Sequence, residues 1–87
     1  LNTKVRMKLK KAREVFERIV ELCYDSENPR LIEVIESIYP DVELADSYSD
    51  IYTSCQEIQI AINEEDFSDE EEEMVGEIEE LIESLSE

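Results

Sequence analysis

The chain has no histidine and no tryptophan, and its 87 residues include only one glycine, two prolines and two cysteines. Without histidine, nucleophilic catalysis with a histidine base is excluded, and most zinc sites are excluded as well. The single glycine, Gly76, leaves too few turn residues for a series of short strands, so the composition favours helices. Two cysteines are too few for a fold built on disulfides.

Long apolar runs are also missing. No uninterrupted apolar run exceeds a few residues, so the sequence contains no candidate membrane span and nothing typical of a signal peptide. We therefore expect a cytoplasmic protein that does not bind membranes. A chain of this length makes one domain, residues 1–87, with little room for a deep pocket. We accordingly expect no cofactor.

Positive charge is absent from most of the chain. Eight Lys and Arg stand against 25 Asp and Glu, which gives a net charge of −17, and residues 31–87 contain no Lys or Arg. All positive charges except Arg30 lie between Lys4 and Arg18. A field of this sign repels nucleic acid and attracts cations and basic surfaces. We therefore expect no direct binding to nucleic acid.

The first helix is predicted to begin at an Asn2/Thr3 cap and to end at Tyr24 or Asp25. Its apolar residues recur in alternating steps of four and three, which is typical of a helix that packs on a core. The core-facing positions are Val5, Leu9, Ala12, Phe16, Ile19 and Cys23.

A short second helix is predicted after a polar break. Asn28 is placed to cap it and Pro29 suits its first position. Pro40 is expected to end this helix at Tyr39, because the residue before a proline is pushed out of the helical conformation. Its apolar residues are Leu31, Ile32, Val34, Ile35, Ile38 and Tyr39.

Two further helices are predicted in the acidic part of the chain. The third begins at Pro40 or a few residues later and ends within residues 63–66; its apolar stripe is Leu44, Tyr48, Ile51, Cys55, Ile58 and Ile62. The fourth begins after a capping box formed by Ser68 and Glu71, with Phe67 packing on the following turn, and ends near Leu85. Its stripe is Met74, Ile78, Leu81 and Leu85.

These stripes predict an all-α fold, a small antiparallel helical bundle with three long helices and one short helix. Cys23 and Cys55 fall on core-facing stripes, where a free cysteine behaves as a small apolar residue. We therefore expect both thiols to be buried and unreactive, with a mutual disulfide as the alternative.

One candidate for chemistry is the acidic run between the third and fourth helices. Hard cations require several carboxylate oxygens that converge, but this run lacks the alternating Asp and Asn ligands and the central glycine of a calcium loop. We expect a solvated acidic segment and no metal site. The run consists of Glu64, Glu65, Asp66, Asp69, Glu70, Glu71, Glu72 and Glu73.

A second candidate is a pair of glutamates three residues apart, which occurs at Glu14 with Glu17 and at Glu33 with Glu36. The spacing resembles the carboxylate motifs by which all-helical nucleotide pyrophosphohydrolases hold magnesium. That family usually places an aspartate at the position of Glu36, and a chain with this many acids contains such pairs by chance. We therefore do not predict an enzyme.

A third candidate is Asp46-Ser47, at a plausible helix start in a small acidic helical protein. It resembles the Asp-Ser-Leu site of acyl carrier proteins, in which the serine receives a phosphopantetheine arm. Tyr48 stands where that family has leucine, and the long basic first helix has no counterpart there. We therefore expect Ser47 to be a helix cap or an exposed hydroxyl.

The basic stretch of the first helix has two alternative interpretations. It could be a phosphate-binding face, or it could neutralise the acidic part of the same molecule. If the third helix runs antiparallel to the first, the acidic run lies next to this stretch, and we expect this second arrangement. The stretch comprises Lys4, Arg6, Lys8, Lys10, Lys11 and Arg13.

Charge and shape together predict a non-enzymatic interaction module that binds a basic protein partner or pairs with another copy of itself. A more specific alternative is a nucleic-acid mimic, in which ordered carboxylates occupy the nucleic-acid groove of another protein. In either case the partner-binding residues are expected on the exposed faces of the last two helices. They are Asp50, Glu57, Glu64, Glu72, Glu73, Glu77 and Glu80.

Overall fold

The computed structural model describes residues 3–86, which form four α-helices and no strand. They are α1 (Thr3–Asp25), α2 (Pro29–Leu44), α3 (Tyr48–Glu64) and α4 (Asp69–Ser84). Helices that follow one another in sequence run antiparallel, so the predicted all-α helical bundle is confirmed.

The turn between α1 and α2 forms as predicted. The side-chain oxygen of Asn28 accepts hydrogen bonds from the backbone N–H groups of Arg30 and Leu31, and Pro29 is the first helical residue. α1 ends at Asp25, as expected. The predicted cap at Asn2 lies outside the described residues.

The prediction for Pro40 is wrong. α2 continues through Pro40 to Leu44 and has 16 residues, as many as α4, so it is not a short helix. A proline in a helix costs about 3 kcal/mol, because it removes one backbone hydrogen bond and crowds the preceding turn. Burial of Ile38 and Val42 on either side offsets this cost. The carbonyl that loses its partner belongs to Glu36, a solvent-exposed residue that water can reach.

The start of α3 also differs from the prediction. Ser47 caps the helix by accepting a hydrogen bond from the Asp50 N–H, so α3 begins at Tyr48. The expectation that Ser47 is a cap is confirmed. Leu44, predicted to begin the α3 stripe, is the last residue of α2 and is 85% exposed. The remaining α3 stripe is buried from Ile51 onward.

α4 begins with the predicted capping box. The Ser68 hydroxyl accepts from the Glu71 N–H, and the Glu71 carboxylate accepts from the Ser68 N–H at 3.1 Å. Phe67 is half-buried against the core. Met74 and Leu81, which were predicted to face the core, are only partly buried, so the buried face of α4 is rotated relative to the prediction. The buried residues of this segment are Val75, Ile78, Ile82 and Leu85.

The core lies along the middle of the bundle and contains only apolar side chains among the described residues. α1 and α3 pack against each other, and α2 and α4 lie on opposite sides of this pair without touching one another. Cys23 and Cys55 are both buried and free, as the stripes predicted. Together with Phe16, Ile19 and Ile58 they are almost completely shielded from solvent.

α1 is longer than its neighbours. Its 23 residues span about 34 Å, whereas helices of 16 or 17 residues span about 24–26 Å. The first residues of α1, from Thr3 to Lys8, are therefore all exposed, and the prediction that Val5 faces the core is wrong. The molecule is accordingly elongated, with a long axis of 44 Å.

Candidate functional site

The basic stretch and the acidic run lie at opposite ends of the bundle. Lys8 lies beside Tyr48, the first residue of α3, so α1 and α3 run parallel. The expectation that α3 runs antiparallel to α1 is therefore wrong, and the acidic run does not neutralise the basic stretch. The physical reason is the length of α2. This helix crosses the whole bundle, so the chain begins α3 at the end where α1 begins.

The acidic end is formed by the α1–α2 turn, the end of α3 and the start of α4. Arg30, next to the turn, lies 3.2 Å from Glu33 and 3.7 Å from Glu64. The hydrogen bond from the Ser68 backbone N–H lowers the pKa of the Glu71 carboxyl. The first turn of α4 carries four acidic residues, where the helix dipole stabilises negative charge.

Three of the predicted partner-binding residues lie on one edge of α3. Asp50, Glu57 and Glu64 are spaced by seven residues and are all exposed. Glu57 lines a polar hollow between α2 and α3, and Glu64 is near Arg30 of α2. This edge therefore borders α2.

The other four residues lie on α4, which does not contact α2. Glu72, Glu73 and Glu80 are exposed, whereas Glu77 accepts one hydrogen bond from Arg18 of α1 at 3.1 Å and forms an ion pair with it at 3.0 Å. α4 meets α3 on its other side, where Gln59 donates to Glu79 at 2.8 Å. The structure thus places the predicted carboxylates on two separate surfaces, one at the α2–α3 edge and one on the outside of α4.

The basic end is the N-terminal part of α1, residues 3–13, together with the adjoining ends of α2, α3 and α4. This part of α1 carries six positive charges and no acidic residue. Within residues 3–86, none of these six cations forms a salt bridge with a carboxylate. Only two of them have a defined partner, namely Arg13 and Lys8.

Arg13 has a structural role that the sequence did not reveal. Its guanidinium donates to the backbone carbonyls of Val42, at 3.0 Å, and Ala45, at 2.6 Å. These carbonyls belong to the last turn of α2, where the helix dipole favours a positive charge. Lys8 places its ammonium 4.9 Å from the centre of the Tyr48 ring, a distance typical of a cation–π contact.

The basic end is also apolar, which the sequence analysis missed. Three of the five large apolar side chains that the described residues expose lie here, namely Val5, Met7 and Leu44. A hollow of about 660 Å³ lies between α1 and the end of α4, where Met7, Ala12 and the neighbouring Tyr48 and Leu85 form much of its lining. The available signal was the first stripe, which begins well before the shorter helices can cover it.

The residues of the enzyme-like and carrier-like motifs occupy ordinary helix positions. Glu17 accepts a hydrogen bond from the Tyr39 hydroxyl, which raises the pKa of that tyrosine, and Glu33 pairs with Arg30. Glu14 and Glu36 are exposed. Among residues 3–86 no three His, Cys, Asp or Glu side chains converge in a way that could hold a metal ion.

The two thiols lie in the core, away from either charged end. Loss of solvent on burial raises the pKa of both Cys23 and Cys55 from 9.0 to about 12. A thiol with so high a pKa stays protonated at neutral pH and is a poor nucleophile.

Comparison of the chain with protein-family models, with curated proteins and with solved structures gives no match. Over residues 3–86 no helix is both long enough and apolar enough to cross a membrane. The features of the molecule that bear on its function are the two charged ends and the surface of α4.

Proposed function

We propose that the protein is a non-enzymatic interaction module that binds a basic protein partner through the outer surface of α4. The observation that carries this proposal is the exposed carboxylate group of that helix. Glu72, Glu73 and Glu80 form no salt bridge within the described residues, so their field acts outward. A rigid helix holds them in fixed relative positions, which favours a specific partner over a diffuse ion atmosphere.

The surface of α4 is a better candidate than the edge of α3. Glu57 and Glu64 lie near Arg30, the one cation of α2, which partly offsets their charge. On α4 the only nearby cation with a defined contact is Arg18, and it engages Glu77 at the border with α1. Of these two surfaces, the outside of α4 therefore carries the less balanced negative charge.

The proposal is tested by capture from the native lysate with a matched pair of variants. Glu72→Gln/Glu73→Gln/Glu80→Gln removes three charges from α4. Glu36→Gln/Glu43→Gln/Asp46→Asn removes three exposed charges from the α2 side. We expect the wild type and the α2-side variant to retain the same basic protein, and the α4 variant to lose it.

Salt provides the second readout. Retention through exposed charges should weaken between low and physiological ionic strength, because the Debye length shortens to about 8 Å. If both variants retain the same proteins as the wild type, or if no retained protein is basic, the proposal is wrong.

A further inference from the structure

The basic end of α1 has the composition of a docking surface that the chain itself leaves unfilled. Lys4, Lys8 and Lys11 line the hollow together with the apolar side chains of Met7 and Leu85, and Arg6, Lys10 and Arg13 lie on the same stretch of α1. Its occupant must therefore offer negative charge together with apolar surface. Another copy of this chain offers both.

The acidic end supplies the complementary charge. Residues 64–73 contain eight Asp and Glu and no Lys or Arg, against six Lys and Arg and no acid in residues 3–13. Large apolar side chains are exposed at or near this end as well, at Tyr24 and Ile60. The two sets of charges are close in number and opposite in sign.

The positions of the two ends allow both to be used at once. They lie at opposite ends of a long axis of 44 Å. When two copies lie side by side with their long axes antiparallel, each basic end faces the acidic end of the other copy. Such an arrangement has a two-fold axis and closes on itself, so it yields a dimer and not a fibre.

We infer that the protein forms an antiparallel homodimer in which the basic end of each copy docks on the acidic end of its partner. The inference deepens the proposed function and rests on it in one respect, namely that carboxylates at and after the start of α4 form a binding surface. It adds the identity of one partner, a second copy.

The net charge of −17 does not prevent this pairing. At physiological salt the Debye length is about 8 Å, which is much shorter than the 44 Å axis. Charges of the two copies that are far apart are screened, whereas those in contact at each end are not. The local attraction between opposite ends therefore outweighs the repulsion between the two whole molecules.

The test is a charge exchange between the two ends, read by sedimentation equilibrium. Lys4→Glu/Lys10→Glu/Lys11→Glu makes the basic end acidic, and Glu70→Lys/Glu72→Lys/Glu73→Lys makes the acidic end basic. All six side chains are exposed, so both variants should fold, which a circular dichroism spectrum checks. We expect each variant alone to dimerise at least about tenfold more weakly than the wild type.

Mixing the two variants should restore the dimer to within about threefold of the wild-type affinity, because each reversed end then meets a reversed partner. The control is Glu36→Lys/Glu43→Lys/Asp46→Lys, which has the same net charge as the second variant but places the new cations elsewhere. This control keeps both native ends, so in a mixture with the lysine-reversal variant it should pair only with itself and form no heterodimer.

Other outcomes overturn the inference. The inference is wrong if the wild type stays monomeric at low and at physiological salt. It is also wrong if mixing the two charge-reversed variants fails to restore the dimer. A monomer whose basic end instead binds phosphatidylserine vesicles or duplex DNA, with loss of binding on lysine reversal, assigns that end to another ligand. None of these results affects the capture of a basic protein by α4, so failure of the dimer and failure of the proposed function are distinguishable.

Discussion

The acidic and basic ends of the bundle differ in how far the chain itself completes them. At the acidic end Asn28 and Ser68 cap two helices, and Arg30 lies within 4 Å of two carboxylates. At the basic end six cations lack a carboxylate partner within residues 3–86, and Met7 is 65% exposed. The chain itself therefore completes the first end, whereas it leaves apolar side chains of the second end exposed.

Helix length is the physical origin of this difference. The apolar stripe of α1 continues past the point where α2 ends and α3 begins, so its first turns are less covered than the rest of the helix. Extending a helix without covering its apolar side gains little stability, since burial of apolar area is the main favourable term.

Thiol reactivity should show the largest difference. A pKa of about 12 for Cys23 and Cys55, against 9.0 for a free thiol, lowers the thiolate fraction at neutral pH roughly a thousandfold. At protein concentrations where the chain is monomeric, we expect the new thiol of a Met7→Cys variant to react at the rate of a free cysteine and the two native thiols to react only in denaturant. Intact-mass measurement of labelled protein over time checks this. Rapid labelling of all three thiols under native conditions would show that Cys23 and Cys55 are not shielded in solution.

Side-chain truncation within α1 should show the next largest effect. Ile19 is fully buried whereas Met7 is mostly exposed. Ile19→Ala should lower the free energy of unfolding by about 2–5 kcal/mol, because it removes buried methylene groups and leaves a cavity. Met7→Ala should change it by less than about 0.5 kcal/mol. Urea unfolding of the monomer measures both, and equal losses would mean that the first turns of α1 are packed in solution.

Arg13 separates structure from binding within the basic stretch. Arg13→Ala should destabilise the protein by about 1–2 kcal/mol, since two carbonyls at the end of α2 lose a charged donor. Lys10→Ala removes the same charge without a hydrogen bond and serves as the control. Thermal unfolding of both variants tests the assignment. If the Arg13→Ala variant melts at the wild-type temperature, the two hydrogen bonds of Arg13 do not stabilise the protein.

A substitution at Gly76 tests whether the outside of α4 is free of contacts with the rest of the fold. A Cβ atom placed at Gly76 would meet no other atom within 4 Å, so nothing in the fold requires glycine there. Gly76→Ala should therefore stabilise the protein by about 0.5–1 kcal/mol through helix propensity. A loss of the captured basic partner in this more stable variant would place Gly76 within the contact surface.

The sequence predicted those features of the helices that depend only on residues close together in the chain. Caps at Asn28, Ser47 and Ser68 depend on side chains within three residues of the atoms they bind, so position in the chain suffices to find them. The parts of the α1 and α3 stripes that are buried, residues 12–23 and 51–62, were predicted from the helical period alone, whereas Val5 and Leu44 on the same predicted stripes are exposed. Both features require no knowledge of the tertiary structure.

The candidate site was harder to predict because it depends on topology. A local rule ended the second helix at Pro40, but tertiary burial of Val42 overrides it. That single error led to the wrong direction for α3, and with it the wrong neighbour for the basic stretch. The apolar hollow beside Met7 could not be predicted either, since it depends on the relative lengths of packed helices.

Charge reversal should show the smallest difference in monomer stability, and it decides between the two interpretations of the basic stretch. If Lys4, Lys10 and Lys11 neutralised the acidic end, changing all three to glutamate would turn attraction into repulsion and lower the melting temperature. Because these lysines are exposed and form no salt bridge within residues 3–86, we expect a change of less than about 0.5 kcal/mol at protein concentrations where the chain is monomeric. The single reversal Arg30→Glu should cost more, since it breaks contacts with Glu33 and Glu64 and adds a further negative charge beside them. Moderate salt should raise the melting temperature of the wild type and of the lysine variant alike, because it screens the acidic surfaces that both share. A triple variant that melts well below Arg30→Glu would mean that the basic stretch stabilises the fold after all.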